Sequence, residues 1–88
     1  MKKTKYFLSI VHATYLDDYT VRITFADDTV RDIDFGGFLY KHPHPQWDKY
    51  RDLKKFQKFK IEGNNIVWGK NWDLVFAQED LYAGKNPQ

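Results

Sequence analysis

The stretch that most constrains what this chain can fold into is residues 19–25, "YTVRITF". Val21, Ile23 and Phe25 alternate with Thr20, Arg22 and Thr24. A period of two belongs to a half-buried strand, because successive side chains on a pleated backbone stand on opposite faces. Aspartate pairs bracket the stretch, Asp17-Asp18 before it and Asp27-Asp28 in the "ADD" that follows. Aspartate favours turns because its short carboxylate reaches the neighbouring backbone. "TVRDIDF" at 29–35 then predicts another strand, with Arg31, Ile33 and Phe35 on one face and Val30, Asp32 and Asp34 on the other. Ahead of these, "FLSIVHATYL" at 7–16 is rich in β-formers. Three short strands with tight turns predict an antiparallel meander.

The rest of the chain changes character. "GG" at 36–37 ends the sheet, and "FLYKH" reads as a short helical turn. "HPHPQ" at 42–46 is a loop, since each proline biases its predecessor away from helix. "WDKYRDLKKFQ" predicts a short helix with Asp48 as its cap and Tyr50, Leu53 and Phe56 along its buried edge. "FKI" and "IVW" flank "EGNN", whose Gly-Asn pair signals a second hairpin. "AQEDLY" at 77–82 predicts one terminal helical turn, and "AGKNPQ" a frayed tail. The fold class expected is therefore α+β: an antiparallel three-stranded meander followed by a short helix and a second β-hairpin, in a small single domain. The single domain spans 1–88, with an ordered core of about 6–83 between a lysine-rich N-terminal tail and a short C-terminal one. Phe25, Ile33, Phe35, Leu53, Phe56, Ile61, Trp68 and Leu74 are the expected core.

With 88 residues, a small domain has little interior, so 18% aromatic residues matter: each ring buries a large area. No cysteine is present, which removes disulfides, thiolate metal sites and cysteine nucleophiles. The lysines and apolar run of "MKKTKYFLSIVHA" are too interrupted for a signal peptide, and no stretch approaches a membrane span. A cytoplasmic protein without membrane contact is expected. Net charge is +2, but residues 6–40 hold two arginines against six aspartates, and residues 41–60 hold seven Lys or Arg against Asp48 and Asp52.

Catalytic chemistry finds little footing. Ser9 is the only serine and lacks a nucleophile elbow, and there is no glycine-rich phosphate loop. Asp32 and Asp34 share a strand face and could repel, or Arg22 could neutralise them. His42 and His44 would point the same way in an extended segment, as metal ligands do. His12 is the one other histidine, so no metal site and no cofactor are expected. The basic segment interleaves Lys41, His42, His44, Lys49, Arg51, Lys54, Lys55, Lys58 and Lys60 with Trp47, Tyr50, Phe56 and Phe59. Such a pattern can follow a phosphate backbone, or it can be a solvated face whose rings point inward. Lysine in place of arginine favours the second reading.

"IVWGKNWDLVF" at 66–76 predicts a lock. Trp68 should bury its ring, Gly69 should turn the chain without a Cβ clash, and Asp73 should accept backbone N–H groups. Leu74, Leu81 and Tyr82 should follow that exit onto the core. Trp72 is the member expected to reach solvent and serve as an anchor for a partner.

Taken together, Ile23, Phe25, Asp27, Asp34, Phe35, Trp68, Gly69, Asp73, Leu74, Leu81 and Tyr82 give a pattern that resembles the bacterial family catalogued as domain of unknown function 2442. The resemblance covers about residues 9–83. It departs at Asp28-Thr29, where the family more often has Asp-Gly, and at the inserted "KNW" before Asp73. It implies a small α+β domain and does not supply a reaction. It also implies a non-enzymatic interaction module with a protein partner, the partner or antitoxin-like member of a two-gene module. The expected interaction surface is Lys41, His42, His44, Trp47, Arg51, Lys54, Lys55, Lys58 and Trp72. A nucleic-acid-binding accessory using residues 41–60 is the alternative, and homo-oligomerisation stays open.

Overall fold

The computed structural model describes residues 8–88. Two three-stranded antiparallel sheets and three short helices form an α+β domain. β1 (Ile10–Asp17), β2 (Thr20–Phe25) and β3 (Val30–Asp34) make the first sheet in the order β1-β2-β3. The alternation of β2 holds: Val21, Ile23 and Phe25 are each fully buried, and Ile33 and Phe35 join them. Phe7, the expected first residue of β1, and the lysine tail lie outside the described residues.

The first turn is Asp18-Tyr19, one residue later than expected, because Asp17 pairs with Thr20 in the ladder. Asp18 takes φ +45. The second turn solves the departure at Asp28-Thr29. Asp28 adopts φ +70, and the Thr29 amide donates to Asp27 Oδ1 at 2.9 Å. Tyr82 then donates its hydroxyl to Asp27 Oδ2 at 2.6 Å, so a side chain stabilises a turn that glycine would otherwise ease.

The diglycine follows the end of the sheet at Asp34. It starts α1 (Gly36–Lys41). The helix expected over 47–57 is broken into a 3-10 turn, Asp48–Arg51, and α2 (Leu53–Phe56). Asp52 separates them with extended backbone and caps α2 by accepting from the Lys54 amide at 3.0 Å. Asp48 is not the cap: its Oδ1 accepts from the His44 amide at 3.0 Å and folds the proline loop onto the 3-10 turn. The break also rotates Leu53 outward to 36% exposure, whereas Tyr50 and Phe56 stay buried.

β4 (Lys60–Glu62) and β5 (Asn65–Trp68) form the second hairpin. Its turn residues Gly63 and Asn64 have φ +58 and +67, as a type I′ turn requires. Ile61, on the edge strand β4, reaches 36% exposure. β6 (Leu74–Val75), a strand the periodicity did not show, pairs with β5. α3 (Gln78–Tyr82) follows. The C-terminal segment is held rather than frayed: the Asp34 amide donates to Asn86 Oδ1 at 3.0 Å, and the Lys85 amide to the Asp80 carbonyl.

The two sheets and α2 meet on rings. Trp68 stacks on Phe56 at 5.5 Å between centroids and meets Phe35 edge-on at 5.2 Å. Its indole N–H donates to the Phe56 carbonyl at 2.8 Å, so the buried donor is satisfied.

Candidate functional site

The stretch that leaves β5 packs back onto the core, and Asp73 takes other partners than those expected. Trp68 is fully buried, and Leu74 and Leu81 lie in the same core. Tyr82 packs edge-on against Phe25 at 5.0 Å. Gly69 takes φ +88, and a Cβ there would fall 2.6 Å from Asp73 Oδ2 and 2.9 Å from the Tyr50 hydroxyl. Asp73 does not cap backbone N–H groups. Its carboxylate lies over Gly69, 3.2 Å from Lys49 Nζ and 3.5 Å from the Tyr50 hydroxyl that donates to it. The chain direction explains this: the 3-10 turn brings Lys49 and Tyr50 against the loop, so side chains arrive before any amide. The same contact holds the Lys49 ammonium above its ordinary range, chiefly through the hydrogen bond to Asp73. The Asp73 carbonyl, not its carboxylate, receives an indole, from Trp47 Nε1 at 2.8 Å.

Most of the expected interaction surface falls in two places, with Lys54 and Trp72 outside both. One part is a ridge on α1 and the 3-10 turn. Arg51 lies 4.9 Å over the Tyr40 ring and donates Nε to the Leu39 carbonyl at 3.0 Å, so it is a structural residue with one face to solvent. Tyr40 is 58% exposed. Tyr19 reaches under it, donating to the Arg51 carbonyl at 2.5 Å, with the two hydroxyls 3.0 Å apart. Burial, and then the Tyr40 hydroxyl, push the Tyr19 phenol up to about 12. On the other side of the ridge, His44 stacks on Trp47 at 4.4 Å and His42 lies against Phe38 at 4.8 Å. Each histidine therefore has its own ring partner. Among the described residues, no three His, Cys, Asp or Glu side chains gather as a metal site would require. Lys41 Nζ lies 3.5 Å from Gln88 Oε1.

The other part is an open groove of about 430 Å³ between the helical segment and the second sheet. Lys49, Lys55, Lys58, Lys60 and Lys70 line it, with Tyr50 and Gly69. Lys60 pairs with Glu62 at 3.5 Å and Lys49 with Asp73. Lys55, Lys58 and Lys70 have no carboxylate within ion-pair distance among the described residues. Lys54 is exposed and lies outside the groove lining. Lys70 was absent from the expected surface. It sits ten residues beyond the basic run, and only the return of the chain through β4 and β5 brings it there.

Trp72 is 39% exposed at φ +55, an unusual backbone for so large a residue. Its indole turns back onto the β4–β5 hairpin, donates to Glu62 Oε1, and leaves about 3.0 Å to any Cβ placed on Gly63. The carboxylates of the first sheet are committed locally. Arg22 grips Asp32 with two bonds, Nε at 2.8 Å and Nη2 at 3.1 Å, holding that carboxyl below its ordinary range. Asp34 accepts from the Gly36 amide at 2.8 Å.

A family model described as "Protein of unknown function (DUF2442)" matches residues 10–87, and the chain belongs to that family. No curated protein and no solved structure matches the chain.

Proposed function

We propose that this member of the DUF2442 family is a non-enzymatic bacterial interaction module, cytoplasmic, which binds a protein partner through the ridge of Tyr40, His44, Trp47 and Arg51. One observation carries the reading: among the described residues Tyr40 is the most exposed large ring and has an arginine laid over it, while most of the other rings are buried or half-buried. Tyrosine, tryptophan and arginine are the residues on which interface energy concentrates, because they bring area with few rotamers to freeze. The ridge is also held in place before any partner arrives, through Arg51 to Leu39 and Trp47 to Asp73, which lowers the ordering cost of binding. Support for the absence of catalysis comes from the carboxylates: Asp27, Asp32, Asp34 and Asp73 each serve a turn, a strand pair or the lock. No helix among the described residues is long and apolar enough to cross a membrane.

The antitoxin-like role in a two-gene pair is the finer form of this reading, and it rests on the family resemblance. Calorimetric titration with the products of the two flanking genes tests both. One product should form a stoichiometric complex, and Tyr40→Ala should weaken it by roughly tenfold, about 1.4 kcal/mol. No complex with either product, or an affinity that ignores both Tyr40→Ala and His44→Ala, would overturn the proposal.

A further inference from the structure

The lysine groove is a second surface, and it does not depend on the ridge. We propose that it is a binding site for a compact ligand bearing several adjacent phosphates. Five separate parts of the chain deliver its cations: the 3-10 turn gives Lys49, α2 gives Lys55, the connection to β4 gives Lys58, β4 gives Lys60, and the loop after β5 gives Lys70. The groove keeps five ammonium groups against the two carboxylates of Asp73 and Glu62. Like charges gathered this way oppose the folded state, and a bound polyanion relieves them. The chain has twelve acidic residues and places none beside Lys55, Lys58 or Lys70 within ion-pair distance among those described.

The lining chooses between kinds of anion. Lysine is a point charge on a flexible stem, suited to phosphate oxygens from any direction, and the groove has no arginine fork to read a planar carboxylate. The ring at its floor, Tyr50, is only 5% exposed, so it offers no face on which a base could stack. That argues against a single-stranded nucleic acid. A volume of about 430 Å³ suits a small ligand rather than a long duplex. The shared chemistry is a short run of phosphates, which could come from an inorganic polyphosphate or from a nucleoside triphosphate.

Calorimetry with the whole chain separates the outcomes. Inorganic tripolyphosphate should bind one per chain and at least roughly tenfold more tightly than orthophosphate. A variant carrying Lys55→Gln, Lys58→Gln and Lys70→Gln should lose at least roughly tenfold, while Lys54→Gln and Tyr40→Ala leave the affinity unchanged. These lysines are exposed, so the triple variant should keep its circular dichroism spectrum and melting temperature. Adenosine triphosphate binding more tightly than tripolyphosphate assigns the nucleotide source, and the reverse order assigns the inorganic chain. The proposal is overturned if orthophosphate binds as well as tripolyphosphate, or if the triple variant binds like the wild type. It also fails if polyglutamate or a short DNA duplex binds more tightly than either phosphate ligand.

Discussion

The two sheets of this domain reach the same end by different means. The first has strands of eight, six and five residues, and its burial follows the alternation of side chains. The second has strands of three, four and two residues, and Ile66, Val67 and Trp68 are buried in succession. Ladders that short supply few backbone bonds. Side chains fasten the second sheet instead: Trp68 to the Phe56 carbonyl, Trp47 to the Asp73 carbonyl, and Gln78 to the Asn64 carbonyl at 2.6 Å. In a chain of 88 residues, aromatic donors do for one sheet what strand length does for the other.

The largest expected effects fall where both sheets share one ring. Phe56→Ala and Trp68→Ala should each cost about 3–5 kcal/mol, a large share of the stability of a small domain. Trp68→Phe separates ring from donor: it keeps an apolar ring but leaves the Phe56 carbonyl without its partner, for about 1–3 kcal/mol. Urea melts measure all three. Should Phe56→Ala cost under about 1 kcal/mol, the contrast collapses, because the second sheet would not depend on α2.

Gly69 tests the lock at the next level. Alanine there must adopt φ +88 and push aside Asp73 and Tyr50, at about 1–3 kcal/mol. Asp73→Ala alone should cost about 1 kcal/mol, since Lys49 lies at the surface and the tyrosine bond is long. In the double variant the clash with Asp73 vanishes while the contact with the Tyr50 hydroxyl and the backbone strain remain, so the double variant should cost less than the sum of the two single ones. Strict additivity would mean that the carboxylate does not lie over Gly69.

How far this arrangement could be read beforehand follows the same divide. The first sheet was legible because a period of two leaves one register that buries Val21, Ile23 and Phe25 together. The β4–β5 turn was legible because Gly63-Asn64 satisfies a backbone requirement few other pairs meet. β6 was not, since two residues carry no period. Asp48 and Asp52 are equally good caps by type, and only the fold decides that Asp52 caps while Asp48 ties back to His44. Arg51 looked like one more surface cation, yet it bonds Leu39 and lies on Tyr40. The lysine groove was half visible: Lys49, Lys55, Lys58 and Lys60 sit in the basic run, but Lys70 joins them only through topology.

A smaller effect belongs to the end of the first sheet, where Tyr19 touches the helical segment. Tyr19→Phe loses the bond to the Arg51 carbonyl and should cost about 1 kcal/mol at neutral pH. The sign with pH follows from the raised phenol. The unfolded side chain ionises near its ordinary 10.0, while the folded one keeps its proton to about 12. Between those values the folded state binds more protons, so this stabilisation is complete below pH 10 and is lost as pH rises toward 12. The difference between wild type and Tyr19→Phe should therefore shrink in melts taken across that window. A constant difference would place the hydroxyl outside the contact.

The smallest expected effect is at Trp72, and it sharpens the contrast between two tryptophans four positions apart. Trp68 is fully enclosed with its donor satisfied by a carbonyl of α2, whereas Trp72 keeps 39% of its surface exposed and bonds the edge strand at Glu62. Two terms bear on Trp72→Ala. Cover over Gly63 and the bond to Glu62 are lost, but a non-glycine residue stays at φ +55. The net should be under about 1 kcal/mol. Trp72→Asn removes the same ring and substitutes a residue that tolerates this backbone, so it should be less destabilised than the alanine variant by a few tenths of a kcal/mol, on the order of 0.3. Thermal melts of the pair read the backbone term with the ring term cancelled. If alanine proved the more stable of the two, Trp72 would not hold its left-handed backbone in solution, and the loop joining the two halves of the lock would have to follow another path.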